Sequence, residues 1–354
     1  MAAPNPAQQI ADEIRNLQFK VSELQGSVRL TKARDAVEDL QTTVIGLAQR
    51  IATLRTRGYI YEKSLENQAQ SFAESWVLLY PNLQSQINIQ SSTLINSLRP
   101  IEILMHQLNT AASNPTVARG LLGSSQSAVN MLEDKVSATE KTIEGMYDQF
   151  KNQVYQFTKH LIEIEYLVTQ LAEATFQLLP TEGGIAAIKA VWCKTGKEQK
   201  GDPEGVLYLT DQRLLFEQKE EIVTKKVLFV ATEKQKVQHL QIECPVRLVD
   251  KVDTSKQGIL KNEDHIEIRF ASDAPVEITH FHIWQENAIW QQLINRAKSK
   301  DFDKDRVISI DQAAVDRVKA APSQCPSCGG NITQVVMRGM DSITCEYCGF
   351  VIRL

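Results

Sequence analysis

The chain has 354 residues, with 39 Lys and Arg against 43 Asp and Glu and a net charge of −4. That length allows two or three domains with separate cores, and the near-neutral balance excludes a global field drawing the molecule to nucleic acid or an anionic membrane, so any such binding has to be local. No apolar run approaches the about 20 residues of a membrane-spanning helix, and the opening Met-Ala-Ala-Pro-Asn-Pro lacks the basic and apolar blocks of a secretory signal, which makes a cytoplasmic protein the expectation, at most peripheral to a membrane.

Residues 1–180 carry apolar residues at helical spacing. Ile10, Ile14, Leu17, Val21, Leu24 and Val28 step by four and three; after a phase slip at Thr31–Asp35 the series resumes as Val37, Leu40, Val44, Leu47, Ile51 and Leu54. This is a coiled-coil seam. A weaker seam through Leu65, Phe72, Leu79, Leu83, Ile87, Leu94, Leu98, Ile101 and Leu108 contains Pro81 and Pro100. Each proline removes an amide donor and crowds the preceding turn, so each predicts a kink or a boundary. A third seam runs from Val129 through Phe150, Phe157 and Leu171 to Leu178. Ala111–Pro115 reads as a hairpin, with Ser113 or Asn114 capping and Pro115 in the first helical position, and Gly58 as another turn. Residues 1–180 therefore predict a long antiparallel coiled coil of two or three helices, suited to self-association or to a helical partner. Its 15 basic and 18 acidic residues do not make a cationic membrane-bending surface.

From Gly183 the period changes to two, in runs such as Ile185–Val191, Val206–Thr210, Arg213–Phe216, Lys226–Val230, Val237–Ile242, Arg247–Val252, Ile266–Phe270 and Val276–Ile283. An amphipathic helix, Trp284–Lys298, follows. Seven or so antiparallel strands closed by one helix, together with the segment Gly205-Val-Leu-Tyr-Leu-Thr-Asp-Gln-Arg-Leu-Leu-Phe216, resemble the GRAM or bacterial PH-like branch of the pleckstrin-homology superfold over residues 183–300. The resemblance implies a β-barrel or sandwich with a C-terminal helix, used for docking on proteins or on anionic headgroups. In members that bind headgroups the loop between the first two strands supplies the cations. Here that loop holds Lys194, Lys197 and Lys200, with Lys219, Lys225 and Lys226 in the next hairpin as further candidates. Glu198, Glu220 and Glu221 are interleaved with them, the K-x-R pattern of the second strand is missing, and residues 183–300 balance 18 basic against 17 acidic side chains.

Residues 301–324, with alternating acidic and basic residues and then Ala-Ala-Pro-Ser, predict a tether. Residues 325–354 carry the strongest motif, Cys325-Pro-Ser-Cys328-Gly and Cys345-Glu-Tyr-Cys348-Gly. Each pair sets two thiolates on a tight turn, with a glycine after the second that can take a left-handed conformation. Four thiolates predict one structural zinc in a small zinc ribbon, with no open position for substrate. The spacing also resembles the finger of the Arf GTPase-activating family, including Arg353 five positions after the last cysteine. That family's activity resides in a larger domain built onto its finger, which residues 325–354 do not contain, so the expectation is a free-standing ribbon that binds a protein. Nucleic acid is not an expected partner, because Arg338 and Arg353 are matched by Asp341 and Glu346.

Cys193 and Cys244 read as small core residues. His280 and His282, two apart on a strand, share a face, but no third ligand presents itself at a sensible spacing. A phosphate-cradling glycine loop, a nucleophile elbow and a convincing carboxylate pair are all missing from the sequence. The expected fold class is multidomain α plus β: a coiled coil (1–180), a PH-like domain (183–300), a linker (301–324) and a zinc ribbon (325–354). The expected function is a non-enzymatic scaffold or adaptor that self-associates through its helices and docks on a membrane surface or protein partner. The alternative is a structural assembly protein forming a higher oligomer or filament without lipid.

Overall fold

The computed structural model describes residues 6–227 and 230–354, and the side chains of 8–221 and 236–354. The chain is a mixed α and β protein that divides into two compact units, Met1–Gln49 with Glu66–Thr158, and Arg50–Leu65 with Lys159–Leu354. No helix among the described residues is long and apolar enough to cross a membrane.

The first unit is helical. Helix α1 (Pro6–Ser27) and α2 (Thr31–Thr56) are separated by a short break in which Leu30 adopts φ 54° while fully buried. This break is the phase slip of the seam: it re-aims the stripe so that Ile10 to Val28 and Val37 to Val44 share one core. The buried Ser91 hydroxyl of α3 (Leu65–Thr110) donates to the Val28 carbonyl, at 3.0 Å, one of the acceptors freed by the break. Cross-links from Gln18 to Asn109, Gln25 to Glu102 and Arg34 to Asn88 make α3 antiparallel to α1 and to the start of α2. Helix α4 (Pro115–Gly145) follows a hairpin capped by Asn114, whose side chain accepts from the Val117 amide, with Pro115 in the first turn. After a break at Met146–Tyr147, α5 (Asp148–Glu173) continues along α3, and Phe150 packs on Phe72 and Trp76.

Among the described residues up to Glu173 there are therefore five helices, arranged as three rods of which two are each broken once. The expected kinks at Pro81 and Pro100 are not boundaries, since α3 runs through both. Both prolines lie on its solvent face, as do Val77 and Asn96 four residues earlier, so water can take the carbonyls left without donors while Leu83, Leu94 and Leu98 hold the other face in the core. The seams expected to mediate self-association are buried against one another within this single chain.

The second unit is built on a seven-stranded antiparallel sheet in the order β4-β3-β2-β1-β7-β6-β5. The strands are β1 (Gly184–Trp192), β2 (Glu204–Thr210), β3 (Arg213–Val227), β4 (Val230–Pro245), β5 (Val249–Gln257), β6 (Glu263–Phe270) and β7 (Ile278–Ile283). β3 takes in the start of the run Lys226–Val230 that was expected as a separate strand, and forms one long hairpin with β4. Leu207, Leu209, Phe216, Ile266, Ile268, Phe281 and Ile283 are buried, and helix α6 (Asn287–Lys298) closes the domain with Trp290, Ile294 and Ala297 buried. β2 does not alternate in burial because its second face is also covered: Val206 and Tyr208 pack with Leu215 beneath Tyr166, Leu171 and Phe176 from α5 and the segment after it.

Residues 301–324, expected as a tether, contain a 3-10 turn (Asp301–Asp305) and helix α7 (Gln312–Ala320). The Arg306 side chain is buried there, donating to Asp211 Oδ2 at 2.8 Å, the Tyr61 hydroxyl at 3.1 Å and the Thr181 carbonyl at 3.1 Å, and Phe302 packs edge-on against Tyr61. The charges that read as a solvated linker are partly internal ion pairs, so the first part of the segment is a packed strap.

Candidate functional site

Two short turns of the same construction build the cysteine cluster. In the first, the Cys325 amide donates to Gly330 O and the Gly329 amide to Cys325 O, both at 2.8 Å; in the second, the Cys345 amide donates to Phe350 O and the Gly349 amide to Cys345 O, at 2.9 and 2.8 Å. Gly329 and Gly349 have φ of 71° and 72°, the left-handed conformation that lets each turn fold back on its sulfurs. Strands β8 (Ser342–Thr344) and β9 (Val351–Arg353) flank the second turn, and Ile343 and Ile352 form a small core with Cys325 and Cys345. The β8–β9 hairpin brackets the second cysteine pair, and a single bridge between Gln324 and Asn331 brackets the first.

The four sulfurs lie within 4.8 Å of one another, with Cys325 to Cys348 and Cys328 to Cys345 both at 3.7 Å. These are not disulfide distances. A tetrahedral ion with metal–sulfur bonds of about 2.3 Å has edges of about 3.8 Å, so the donor set could hold a metal ion with little movement. Burial works against the Cys325 thiolate, but the amides of Cys328 and Ser327 outweigh it and hold its pKa down to about 7. The Phe350 amide favours the Cys348 thiolate, yet the adjoining sulfurs push it up to about 12. Four crowded thiols cannot all ionise without a cation between them.

The cluster is fastened to the sheet. Gln212, in the β2–β3 turn, makes a two-way pair with Arg338, its amide donating to Arg338 O at 3.0 Å and its carbonyl accepting from Arg338 N at 2.7 Å, while the Arg338 guanidinium meets Asp211. The region expected as a free-standing ribbon is thus docked on the same Asp211 that holds Arg306. Cys193 and Cys244 are buried in the sheet as expected, and burial raises their thiols to about 11 and about 12.

The candidate headgroup lysines separate into two groups. Lys194, Lys197 and Lys200 project from the β1–β2 loop and are exposed, with the Lys194 ammonium 5.1 Å from the Trp192 ring centre. Glu198, the acid set among them, turns away to His282, its carboxylate 2.5 Å from Nδ1. Lys219 instead faces α5, with Glu173 at 2.5 Å and Gln170 at 3.0 Å, because the end of α5 covers that face of the sheet. The side chains of Lys225 and Lys226 lie outside the described residues.

His280 and His282, expected as an isolated pair, are joined by His265, which β6 sets directly opposite His282. Glu198, His265 and His282 bring one donor atom each to within 4.8 Å of the others. His265 and Glu198 were missed because only strand register and the fold of the β1–β2 loop bring them there. A further groove, about 710 Å³, runs between α5, β1 and α6, lined by Ile162, Ile185, Trp284 and Leu293 with Glu62 and His160 among its polar groups.

No family model matches the chain, and no curated protein matches it. Among solved structures it is similar to the DH/PH domains of p115-RhoGEF and to a mutant of the same domains, at 10% identity in each case. The TM-scores are 0.21 and 0.20, with 84% of this chain covered and 95% and 98% of those chains.

Proposed function

We propose that the chain is a non-enzymatic adaptor whose PH-like domain docks on an anionic membrane surface through the β1–β2 loop, beside a docked ribbon that holds one structural zinc and presents a protein-binding face. The observation that carries the docking reading is the direction of Glu198. With its carboxylate committed to His282, Lys194, Lys197 and Lys200 stand exposed without the acid that the sequence interleaves among them. Each lysine near an anionic surface contributes about 1 kcal/mol, so the loop can support weak, salt-sensitive docking. The zinc reading rests on four sulfur donors within 4.8 Å of one another, two pairs of them at 3.7 Å, and a four-thiolate set would leave the ion no open coordination position. Tyr347, Phe350 and Val351 are exposed on the second turn of the ribbon and are the natural contacts for a protein partner. Self-association is left out of the proposal, since the seams on which it was expected are used within the chain.

Co-sedimentation of the full chain with anionic and neutral vesicles, at low and high salt, tests the docking. Binding to anionic vesicles alone, weakened by salt and reduced about thirty-fold in Lys197→Gln/Lys200→Gln, is the expected result, the loss of two contributions of about 1 kcal/mol each. Equal binding by the variant would sink the site. For the ribbon, metal analysis of Cys345→Ser should show one zinc per chain fewer than the native protein, and a chelator should abolish the dispersion of amide resonances from residues 325–354.

A further inference from the structure

The face of the sheet around His265 contains a histidine arrangement unlike the ordinary surface of a strand. His265 and His282 stand opposite each other on β6 and β7, their rings nearly parallel with centres 4.8 Å apart, and His282 stacks in turn on Trp284 at 4.2 Å. His280, two residues before His282 and hence on the same face, places its Nε2 3.1 Å from His265 Nδ1 and 3.3 Å from the Gln257 amide nitrogen. A side-chain amide nitrogen only donates, so His280 Nε2 is the acceptor of both contacts. His265 Nδ1 then carries the proton, and His265 Nε2 is left as a bare lone pair. That atom is buried, in a residue only 1% exposed, and has no hydrogen-bond partner. Its nearest carboxylate, on Glu263, is 3.8 Å away and offers no proton.

A buried acceptor with no donor is destabilising, and its neighbours here are a second imidazole and a carboxylate. We infer that Glu198, His265 and His282 form a second metal site, for a divalent transition ion such as zinc, with His280 orienting the His265 ring. The donor set is of the type that suits zinc in mixed nitrogen and oxygen sites. The His265 Nδ1–H to His280 contact is the outer hydrogen bond that metal-bound imidazoles make through their second nitrogen. Burial, followed by the facing His282 and His280, lowers the pKa of His265 and keeps the ring in its neutral, ligating form. Glu198 gives access from solvent, being exposed, and Glu263, Asp264 and Glu286 line the adjoining groove with negative charge. The donors lie up to 4.8 Å apart, against about 3.4 Å for the edge of a tetrahedron with bonds of about 2.1 Å. Glu198 and His282 Nδ1, already 2.5 Å apart, would have to open around the ion while both close on His265, movements that a loop residue and a partly exposed ring can make. The ion would clamp the β1–β2 loop to the sheet. The site stands on its own geometry and does not depend on the docking reading.

The test uses the full chain, loaded with cobalt and then zinc, desalted and titrated, with metal content and cobalt absorption as readouts. The native protein is expected to bind two ions: one with the intense sulfur-to-cobalt absorption of the cysteine cluster, and a second without it. His282→Gln should lose the second ion alone, and Glu198→Gln, an exposed loop substitution that leaves the core intact, should weaken it at least tenfold. His265 is too buried for its substitution to separate ligand loss from misfolding, so the result is read from the other two. A native protein that binds one ion, or a second ion held equally by both variants, overturns the inference.

Discussion

The helical unit and the sheet-bearing unit are stabilised by different means. In the first, the core is a continuous apolar seam, and the buried polar residues among those described are serines, Ser91 and Ser125. In the second, whole ion pairs are internal. Arg213, with 5% of its side chain exposed, pairs with the fully buried Glu182, which also accepts from Thr210 and from the Leu179 amide, while Asp211 holds Arg306 and Arg338. Glu217, also fully buried, accepts from the Thr175 amide and hydroxyl and from Tyr208. An apolar seam fixes which faces meet and tolerates volume-conserving change. A buried charge is tolerable only while every partner is in place, so it fixes the relation between segments distant in sequence at a risk the seam does not carry.

The largest expected effect follows from breaking one such pair. Arg213→Met leaves the Glu182 carboxylate buried without its cation and is expected to cost about 3–5 kcal/mol in urea unfolding monitored from the sheet. The double variant Arg213→Met/Glu182→Leu should recover much of that loss, because replacing a buried pair by apolar groups is often neutral. A double variant as unstable as the single one would show that the pair's hydrogen bonds to Gln177, Thr210 and Glu243, rather than charge balance, hold this region.

The helical unit has one comparable weak point. Ser91→Ala removes the donor to the Val28 carbonyl at the break before α2 and should cost about 1–3 kcal/mol. Hydrogen exchange should localise the loosening to the amides near Leu30. An unchanged exchange pattern would mean that water replaces the hydroxyl, and that the break is held by the burial of Leu30 alone.

The features legible in the sequence are those set within a few residues of chain. The cysteine turns could be read because each is a five-residue motif with its glycine, and the seams because helical period is local. The slip near Thr31 was visible as a change of phase, and a cap at Ser113 or Asn114 by its position before Pro115, the structure selecting Asn114. Features that depend on tertiary partners could not be read. Pro81 and Pro100 are compatible with α3 only because packing places both on its wet face. Arg306 looks like a linker charge until Asp211, 95 residues earlier, is brought beside it. The histidine site needs the register of β6 against β7 and the fold of the β1–β2 loop, none of which is a local property.

The smallest effect separates the two units by pH. His160 sits between Glu163 and Glu62, at 3.7 and 2.6 Å, and these two carboxylates raise its pKa to about 9. Burial opposes ionisation of Glu62, but its bonds from His160 and Tyr59 prevail and lower its pKa. Because the His160 pKa is higher folded than unfolded, its contribution is fully present below about pH 6.5, the unfolded value, and is lost as pH rises through about 9. The Glu62 contribution has the opposite sign, present above the usual carboxylate range and lost as pH falls through its lowered value. With 41% of the His160 side chain in solvent, screening holds the effect to about 1 kcal/mol or less. His160→Gln should therefore lower the melting temperature of the sheet-bearing unit at pH 6, and the gap from the native protein should close above pH 9. A gap independent of pH would assign His160 a packing role beside the groove and remove the charge from the account.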